Sequence, residues 1–543
     1  MAPCFREHRL PKFLSQIKSI LFTDSDTRAF IRHNRETWRG WADPKAMPEI
    51  LVELYAVTQT VISFSYFANI LARRHGARIK SFSSSRRNPL LYTLKHRDLY
   101  SVYKSFNVSG HVNTSPIRPE IAQQAEREFR RIRPALRDKW DVFRIEIDGC
   151  TIGCDIYESF LMEYRKPTVD PGSREFETHL RSCLEFYHFW NAHLEAHPVK
   201  AVILSHGLYK YGILKRLSIR RKIPVYLPTV RSMQYLSAME ELGNPKFEAY
   251  PEHFRALPRE VQERGIAWAK AQLDRRMAGE VGVDMHYSTK SAYSMEKKAE
   301  RVLKDTPKLK VLIATHCFFD NPQAYGQILF PDFYEWLEYL GKISGETDYE
   351  WYLKTHPDVL PGNHEILNGI LSRYPRIQIV PESTPHHQLC EEGVSVVLTV
   401  YGSIGHEYPL LGKHVVNAGP NPHIAYGFNY HPRTLEEYRS LLLNLDKLDK
   451  RIDLRELYEF YFVHYKCNVC EKLFFESFSD FTSKLTADEQ ISSAAYRYFL
   501  ERLEENRHRE LVRTIEGFLD SRGYKHFEPG FAFAQARNEE LVK

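Results

Sequence analysis

Short apolar runs of strand length alternate along this chain with stretches of helical period. EILVELYA (49–56) is a compact apolar run, a helix-length stretch follows as far as His75, and ARIKSF (77–82) comes next, a strand-helix-strand order. VKAVILSH (199–206), a helical stretch over 209–221 and IPVYLPT (223–229) repeat that order. Residues 250–280 are strongly charged and helical in pattern. The second half is more regular. It predicts strands at 308–316, 349–357, 377–383, 394–400 and 413–419, with helices at 330–343, 365–373, 386–393, 402–411 and 434–448 between and after them. Repeated β-α alternation predicts parallel sheets covered on both faces. The expected fold class is α/β, with two Rossmann-like domains facing across a cleft and a helical, aromatic-rich C-terminal region. The expected boundaries are a basic extension over 1–45, an N-terminal Rossmann-like domain over 46–245, a helical linker over 246–305, a C-terminal Rossmann-like domain over 306–450 and the helical region over 451–543.

Composition narrows this picture. The 543 residues are 43% hydrophobic and 27% charged, with no low-complexity bias, which excludes disordered, collagen-like and coiled-coil chains. A net charge of +6 does not indicate a nucleic-acid partner. Eight cysteines make no disulfide scaffold in a chain with an interior this large, so a soluble protein of a reducing, cytoplasmic compartment is expected. The N-terminus has no clean apolar core of a signal peptide. The uncharged run 55–72 carries Thr58, Gln59, Thr60, Ser63, Ser65 and Asn69, too many polar groups for a membrane span. Residues 73–97 hold Arg73, Arg74, Arg78, Lys80, Arg86, Arg87, Lys95 and Arg97 without an acidic residue. Such a run suits either peripheral contact with anionic lipid at the inner face of a membrane or a solvated loop and helix end.

Ligands of open α/β sheets bind outside the carboxyl ends of the strands. Four polar clusters fall there in the second half: Thr315, His316, Asp320 and Asn321; Lys354, Thr355, His356 and Pro357; Gly402, Ser403, His406 and Glu407; and Asn417, Asn421 and His423. Polar residues after four strands of one sheet predict a single convergent site. In LTVYGSIGHEYPLLGKHVV (398–416) a buried strand ends at Thr399 and a Gly-Ser turn opens a helix. Backbone N–H groups there favour a phosphate and Ser403 adds a hydroxyl, unless it is only the helix cap. Glu407, one turn on, can accept from sugar hydroxyls. His356 precedes Pro357, which fixes its backbone, and an imidazole there can donate to a phosphate oxygen.

The ordered series KTHPD (354–358), VVLTVYGSIGHEYPLLGK (396–413) and VVNAG (415–419), with ATHCFFDNPQAYG (314–326) and YEWYLKTHPD (349–358), resembles the C-terminal half of GT-B glycosyltransferases. Capsule and surface-polysaccharide biosynthesis proteins are the nearest in look, with Kdo transferases and HP-motif sialyltransferases among them. The resemblance implies a CMP-activated acidic sugar as donor, of Kdo or nonulosonate type, and a glycan or glycolipid acceptor. It implies that His356 contacts the CMP phosphate, that Ser403 stands at the phosphate-binding helix start, that Glu407 holds the ribose and that no metal or other cofactor is needed. His316, Pro357, Thr399, Gly402 and Asn417 complete the expected nucleotide site.

The acceptor and the catalytic base are expected in the N-terminal half. Candidates are Asp148 and Glu158 in RIEIDGCTIGCDIYESFL (144–161) and His206 in LSHGLYKYG (204–212). EIDG is similar to the acidic-acidic-Gly base motif of HP-type sialyltransferases, but Ile147 splits the acidic pair. Asp-Gly also favours a hairpin turn, which is the reading preferred for Asp148. His206 and Glu158 rank level. The Cys467/Cys470 pair is read as incidental and not as a metal site, and His386 and His387 as a helix cap. Dinucleotide, P-loop and nucleophile-elbow motifs are absent. Two alternatives stand beside the transferase: a CDP-polyol phosphotransferase of the teichoic-acid type, and a glycan-binding assembly protein without turnover. UDP- and GDP-sugar donors stay open.

Overall fold

The computed structural model describes residues 23–83, 97–283, 291–293, 296, 300–355 and 361–521. His356 and Pro357, with Arg86, Arg87 and Lys95 of the basic run, lie outside the described residues. In chain order the strands are β1 (Glu49–Glu53), β2 (Arg78–Phe82), β3 (Val108–Val112), the pair β4 (Glu146–Ile147) and β5 (Cys150–Thr151), then β6 (Val199–Ile203), β7 (Val225–Pro228), β8 (Met233–Leu236), β9 (Lys310–Ala314), β10 (Glu350–Lys354), β11 (Ile377–Ile379), β12 (Val394–Thr399) and β13 (His414–Asn417). They form two compact units. Within the described residues, unit 1 draws on 23–131, 181–243 and 470–521, and unit 2 on 132–180 and 244–469.

Unit 1 holds a six-stranded sheet of order β3-β2-β1-β6-β7-β8, parallel except for the β7–β8 pair at its edge. All five residues of β1 are buried, as a central strand covered on both faces requires. The helix Thr58–His75 packs on it and stops at Gly76, whose φ of 54° lets its N–H reach the last carbonyls. Four of the polar groups that disqualified 55–72 as a membrane span, Thr58, Ser63, Ser65 and Asn69, are buried and hydrogen-bonded here. Ser63 donates to the Pro228 carbonyl (3.0 Å) and Asn69 to those of Ser65 and Phe106. No helix among the described residues is long and apolar enough to cross a membrane.

Four members of the basic run have carboxylate partners. Arg73 meets Glu516 at 2.6 Å, Arg74 meets Asp520 at 2.7 Å, Arg78 meets the buried Glu49 at 2.5 Å and Arg97 meets Asp98 at 3.6 Å. The charge that looked unopposed along the sequence is therefore partly neutralised, for Arg73, Arg74 and Arg78 by residues distant in the chain.

The contiguous domains expected from the sequence are replaced by interleaved ones. The C-terminal helices, read as a separate region over 451–543, divide between the units. Beyond 470 they close unit 1, where Tyr66 pairs with His508 (3.0 Å) and Gln59 donates to the Gln490 carbonyl (3.0 Å). Residues 132–180, read as part of the first domain, belong to unit 2. There the Gln323 N–H donates to Glu158 (2.8 Å), Tyr157 donates to Asp332, and Lys139 pairs with Glu335. The expected linker over 246–305 is also part of unit 2. Its helices Tyr250–Arg255 and Arg259–Met277 share an apolar cluster with Leu457, Phe460 and Phe462.

Unit 2 carries a five-stranded, wholly parallel sheet of order β11-β10-β9-β12-β13. Val311, Ile313, Trp351, Leu353 and Leu398 anchor its core against the helix Phe333–Glu346. Asp332 caps that helix by accepting from the Glu335 N–H. Close approach matters at Gly153, where a Cβ would stand 2.0 Å from the Val142 carbonyl oxygen and 2.6 Å from that of Phe143. Both obstacles are backbone and cannot turn aside. Gly153→Ala is therefore expected to destabilise by at least the 1–3 kcal/mol typical of overpacking, about that scale at minimum. An unchanged denaturation midpoint would contradict the packing.

Candidate functional site

Both sheets run out from a central strand to one side and then resume on the other. Such a reversal opens a crevice between the two central strands at their carboxyl ends. In unit 2 the reversal lies between β9 and β12, and sequence-predicted residues meet there. His316, two residues past β9, lies with Nε2 3.2 Å from the hydroxyl of Thr399, the last residue of β12. The Val400 N–H donates to the same Nε2 (3.2 Å), so this nitrogen accepts and the proton of the neutral ring sits on Nδ1. The Gly402 N–H in turn donates to the Thr399 oxygen (3.3 Å). The imidazole stacks on Phe333 (4.6 Å, 20°) and leans on Tyr401 (4.6 Å). A Cβ at residue 402 would press the Thr399 hydroxyl at 3.0 Å, so the turn is close-fitted as well as short.

Asn417 ends β13 in register with Thr399. Its amide lies 3.5 Å from His431 Nδ1, which Asn421 also approaches (3.2 Å), while Asn429 donates to the Gly405 carbonyl and to His423 Nδ1. The third strand tip thus joins the second through side chains the sequence had flagged (Asn417, Asn421, His423) and two it had not (Asn429, His431). Burial drives the His423 and His431 rings well below the usual imidazole range, His431 to about 4, so both are neutral. At the tip of β10, Lys354 donates to the Glu382 carbonyl (2.7 Å) and Thr355 to its carboxylate (3.1 Å). His356 and Pro357 follow outside the described residues.

Ser403 begins the helix Ile404–Leu410, partly exposed, and its side chain makes no capping bond, so the plain cap reading does not hold. Glu407 departs from its expected role at a ribose. It is 3% exposed, accepts from Arg276 Nε (2.9 Å) and Nη2 (2.5 Å) on one oxygen and from the Tyr293 hydroxyl (2.7 Å) on the other. Burial pushes this carboxyl up, but the Arg276 guanidinium, backed by His406 and Tyr293, overrides it and holds the group down at about 2. Both oxygens are committed inside the fold, which makes Glu407 a structural residue here. His386 and His387 do not cap their helix either. His386 pairs with the Tyr408 hydroxyl (2.8 Å) and His387 with the Met277 carbonyl (2.7 Å).

In unit 1 the reversal lies between β1 and β6. Glu53 ends β1, 2% exposed, and accepts the Ser205 N–H at 2.6 Å. Burial pushes its carboxyl up to about 7, with Ser205 opposing. His206 is the next residue; its Nδ1 is buried without a hydrogen-bond partner, and burial lowers its basicity. Sequence reasoning found His206 and missed Glu53. The available signal was an acidic residue closing an otherwise apolar strand. Glu49, at the other end of β1, shows the contrast. Burial raises it, yet His193 and Arg78 hold it down at about 2, an ordinary paired carboxylate away from the ligand end.

Glu158 does not lie in unit 1 with His206. It sits in unit 2 on the helix Gly153–Tyr164, buried, with Gln323 donating to it. Burial pushes it up to about 8, with Asp155 and Asp320 adding to the shift. Asp148 occupies the β4–β5 turn with φ 50°, followed by Gly149 at 77°, the left-handed pair that a two-residue hairpin turn needs. The turn reading is the one that holds. Among the described residues no group of three His, Cys, Asp or Glu side chains is placed to hold a metal ion.

No protein-family model and no curated protein matches the chain. Solved structures with some likeness include a β-Kdo 2,4 transferase, KpsC, of Thermosulfurimonas dismutans, at 15% identity and TM-score 0.29 over 49% of this chain and 79% of that one. A UDP-GlcNAc 2-epimerase of Neisseria meningitidis shares 10% identity, TM-score 0.21, over 77% of this chain and 97% of its own. The wall teichoic acid polymerase TagF shares 12% identity, TM-score 0.18, over 94% of this chain and all of its own length. Likeness of this degree leaves function to be argued from the residues themselves.

Proposed function

We propose that the protein is a glycosyltransferase whose unit 2 binds the nucleotide of a nucleotide-sugar donor and whose unit 1 binds a glycan acceptor. The observation that carries this reading is the hydrogen-bonded set His316–Thr399–Gly402 at the reversal point of a wholly parallel sheet. Such a crevice suits a phosphorylated ligand, and the glycine turn with Ser403 brings backbone N–H groups and a hydroxyl to it. A CMP-linked acidic sugar is the donor the motif series favours. In the transfer, an acceptor hydroxyl oxygen bonds to the anomeric carbon as the bond from that carbon to the CMP phosphate oxygen breaks. The phosphate leaves with the bonding electrons. The hydroxyl proton passes to a general base, a task for which a group titrating near neutrality is well matched.

The test is a thermal-shift and calorimetric panel of CMP, CDP, CDP-glycerol, UDP and GDP, followed by donor hydrolysis. CMP is expected to bind best. His316→Phe keeps the ring stack but removes both nitrogens, and is expected to weaken CMP about tenfold, or about 1.4 kcal/mol. Preference for CDP-glycerol would turn the reading to a polyol phosphotransferase. No response to any nucleotide would remove the transferase reading altogether.

A further inference from the structure

A groove of about 600 Å³ opens on unit 2, lined by Trp140, Phe143, Arg144, Glu146, Thr151 and Gln327. Its size falls in the range of small-ligand clefts. We infer that this groove is a carbohydrate-binding subsite, which takes a short run of sugar rings against Trp140 and Phe143. The inference does not depend on nucleotide binding and goes beyond the transferase reading.

The floor is aromatic and braced. Trp140 and Phe143 lie 5.3 Å apart on one short helix, Lys139–Phe143, and neither is fully buried. Phe143 stacks from behind on Tyr157 (4.7 Å, 29°), whose hydroxyl is held by Asp332. Asp138 and Asp141 close the helix start with a reciprocal capping box, and Lys139 is tied to Glu335. The β4–β5 hairpin adds Glu146 and Thr151 to the lining, paired directly across its two strands, and the Asp148-Gly149 turn fixes the register. A site whose parts are already held loses little freedom on binding.

The rim selects the chemistry. Arg144, Glu146, Thr151 and Gln327 offer donors and acceptors of both kinds around flat apolar rings. A sugar ring has that same division, with C–H bonds on its faces and hydroxyls around its edge. A phosphate would meet the Glu146 carboxylate, and the one guanidinium present is already engaged by Asp141 at 2.7 Å. An extended apolar segment would bring no donors or acceptors to the polar rim.

The full-length protein is titrated with maltohexaose, chitohexaose and a hexagalacturonide, with saturation-transfer NMR on the sugar C–H protons and calorimetry for affinity. At least one of the three is expected to bind saturably, with transfer strongest to ring-face protons. Trp140→Ala is expected to weaken it about tenfold, Trp140→Phe, which keeps a ring, about threefold or less, and Gln327→Ala several-fold at an unchanged melting temperature. Saturable binding of none, or equal binding by wild type, Trp140→Ala and Gln327→Ala, overturns the subsite. If Trp140→Ala does not fold, the exposed Gln327→Ala and Thr151→Val variants decide. CMP or a phosphopeptide competing for Trp140 would also overturn it. Failure of CMP at the strand tips, with oligosaccharide binding intact, would strike the transferase reading alone.

Discussion

Replacing Arg276 by alanine is expected to lower the unfolding free energy by about 3–5 kcal/mol, because it strands a buried carboxylate without its counter-charge. Arg276 grips one oxygen of Glu407 and Tyr293 donates to the other. Glu407→Gln strands the guanidinium in the same way and is expected to cost a similar amount. Replacing both, as Arg276→Met with Glu407→Leu, is expected to recover much of the loss, since a buried pair is weakly favourable against an apolar pair of like volume. Its pH dependence has a fixed sign. A carboxyl held near 2 in the folded state stabilises above its unfolded value, about 4.3, and that contribution fades as pH falls toward 2. Urea midpoints of the single and double variants measure this, with CMP affinity beside them. If Glu407→Gln melts like the wild type but loses the nucleotide, the residue is a ribose ligand after all.

That outcome bears on what a sequence can convey. Gly-Ser followed by His-Glu at a strand end marked the region correctly, and Thr399, Gly402 and His316 do converge. What no local pattern could report is that Arg276, 131 positions away, reaches Glu407. A carboxylate one turn into a helix looks the same on paper whether it faces a ribose or a guanidinium. Glu53 was missed for a related reason. Inside an apolar strand it read as one polar interruption, and only the pairing of β1 with β6 shows that it stands at the ligand end of a reversal point.

The strands were legible because most are largely buried and read as short runs dominated by apolar residues, as in EILVE and VSVVLT. β3 was not, since VSGHV is half-buried at a sheet edge and has a glycine at its centre. Neither was β8, a four-residue antiparallel return across the turn closed by Thr229 and Ser232. The domain boundaries failed where contacts are long-range. His508 against Tyr66 and Gln323 against Glu158 span 442 and 165 positions and have no periodic signature.

Glu158 leads to the second large effect. Its carboxyl is buried on the helix Gly153–Tyr164, near Cys154 and Asp155 on its own helix and Asp320 beyond β9. Burial therefore dominates and keeps the proton on until about pH 8. The folded state then binds a proton that the unfolded chain has released, so stability declines as pH rises from about 4.3 and levels off above 8. A shift of this size corresponds to a loss on the order of 5 kcal/mol at full ionisation. Glu158→Gln preserves the acceptor for the Gln323 N–H and removes the titration. The variant is accordingly expected to match the wild type near pH 5 and to exceed it in denaturant midpoint at pH 8.5. Glu53, raised to about 7 in unit 1, adds a decline of the same sign that the Glu158 substitution leaves in place. Parallel pH profiles for the two proteins would mean that Glu158 is ionised in the folded state. The carboxyl would then need a cationic or solvent partner.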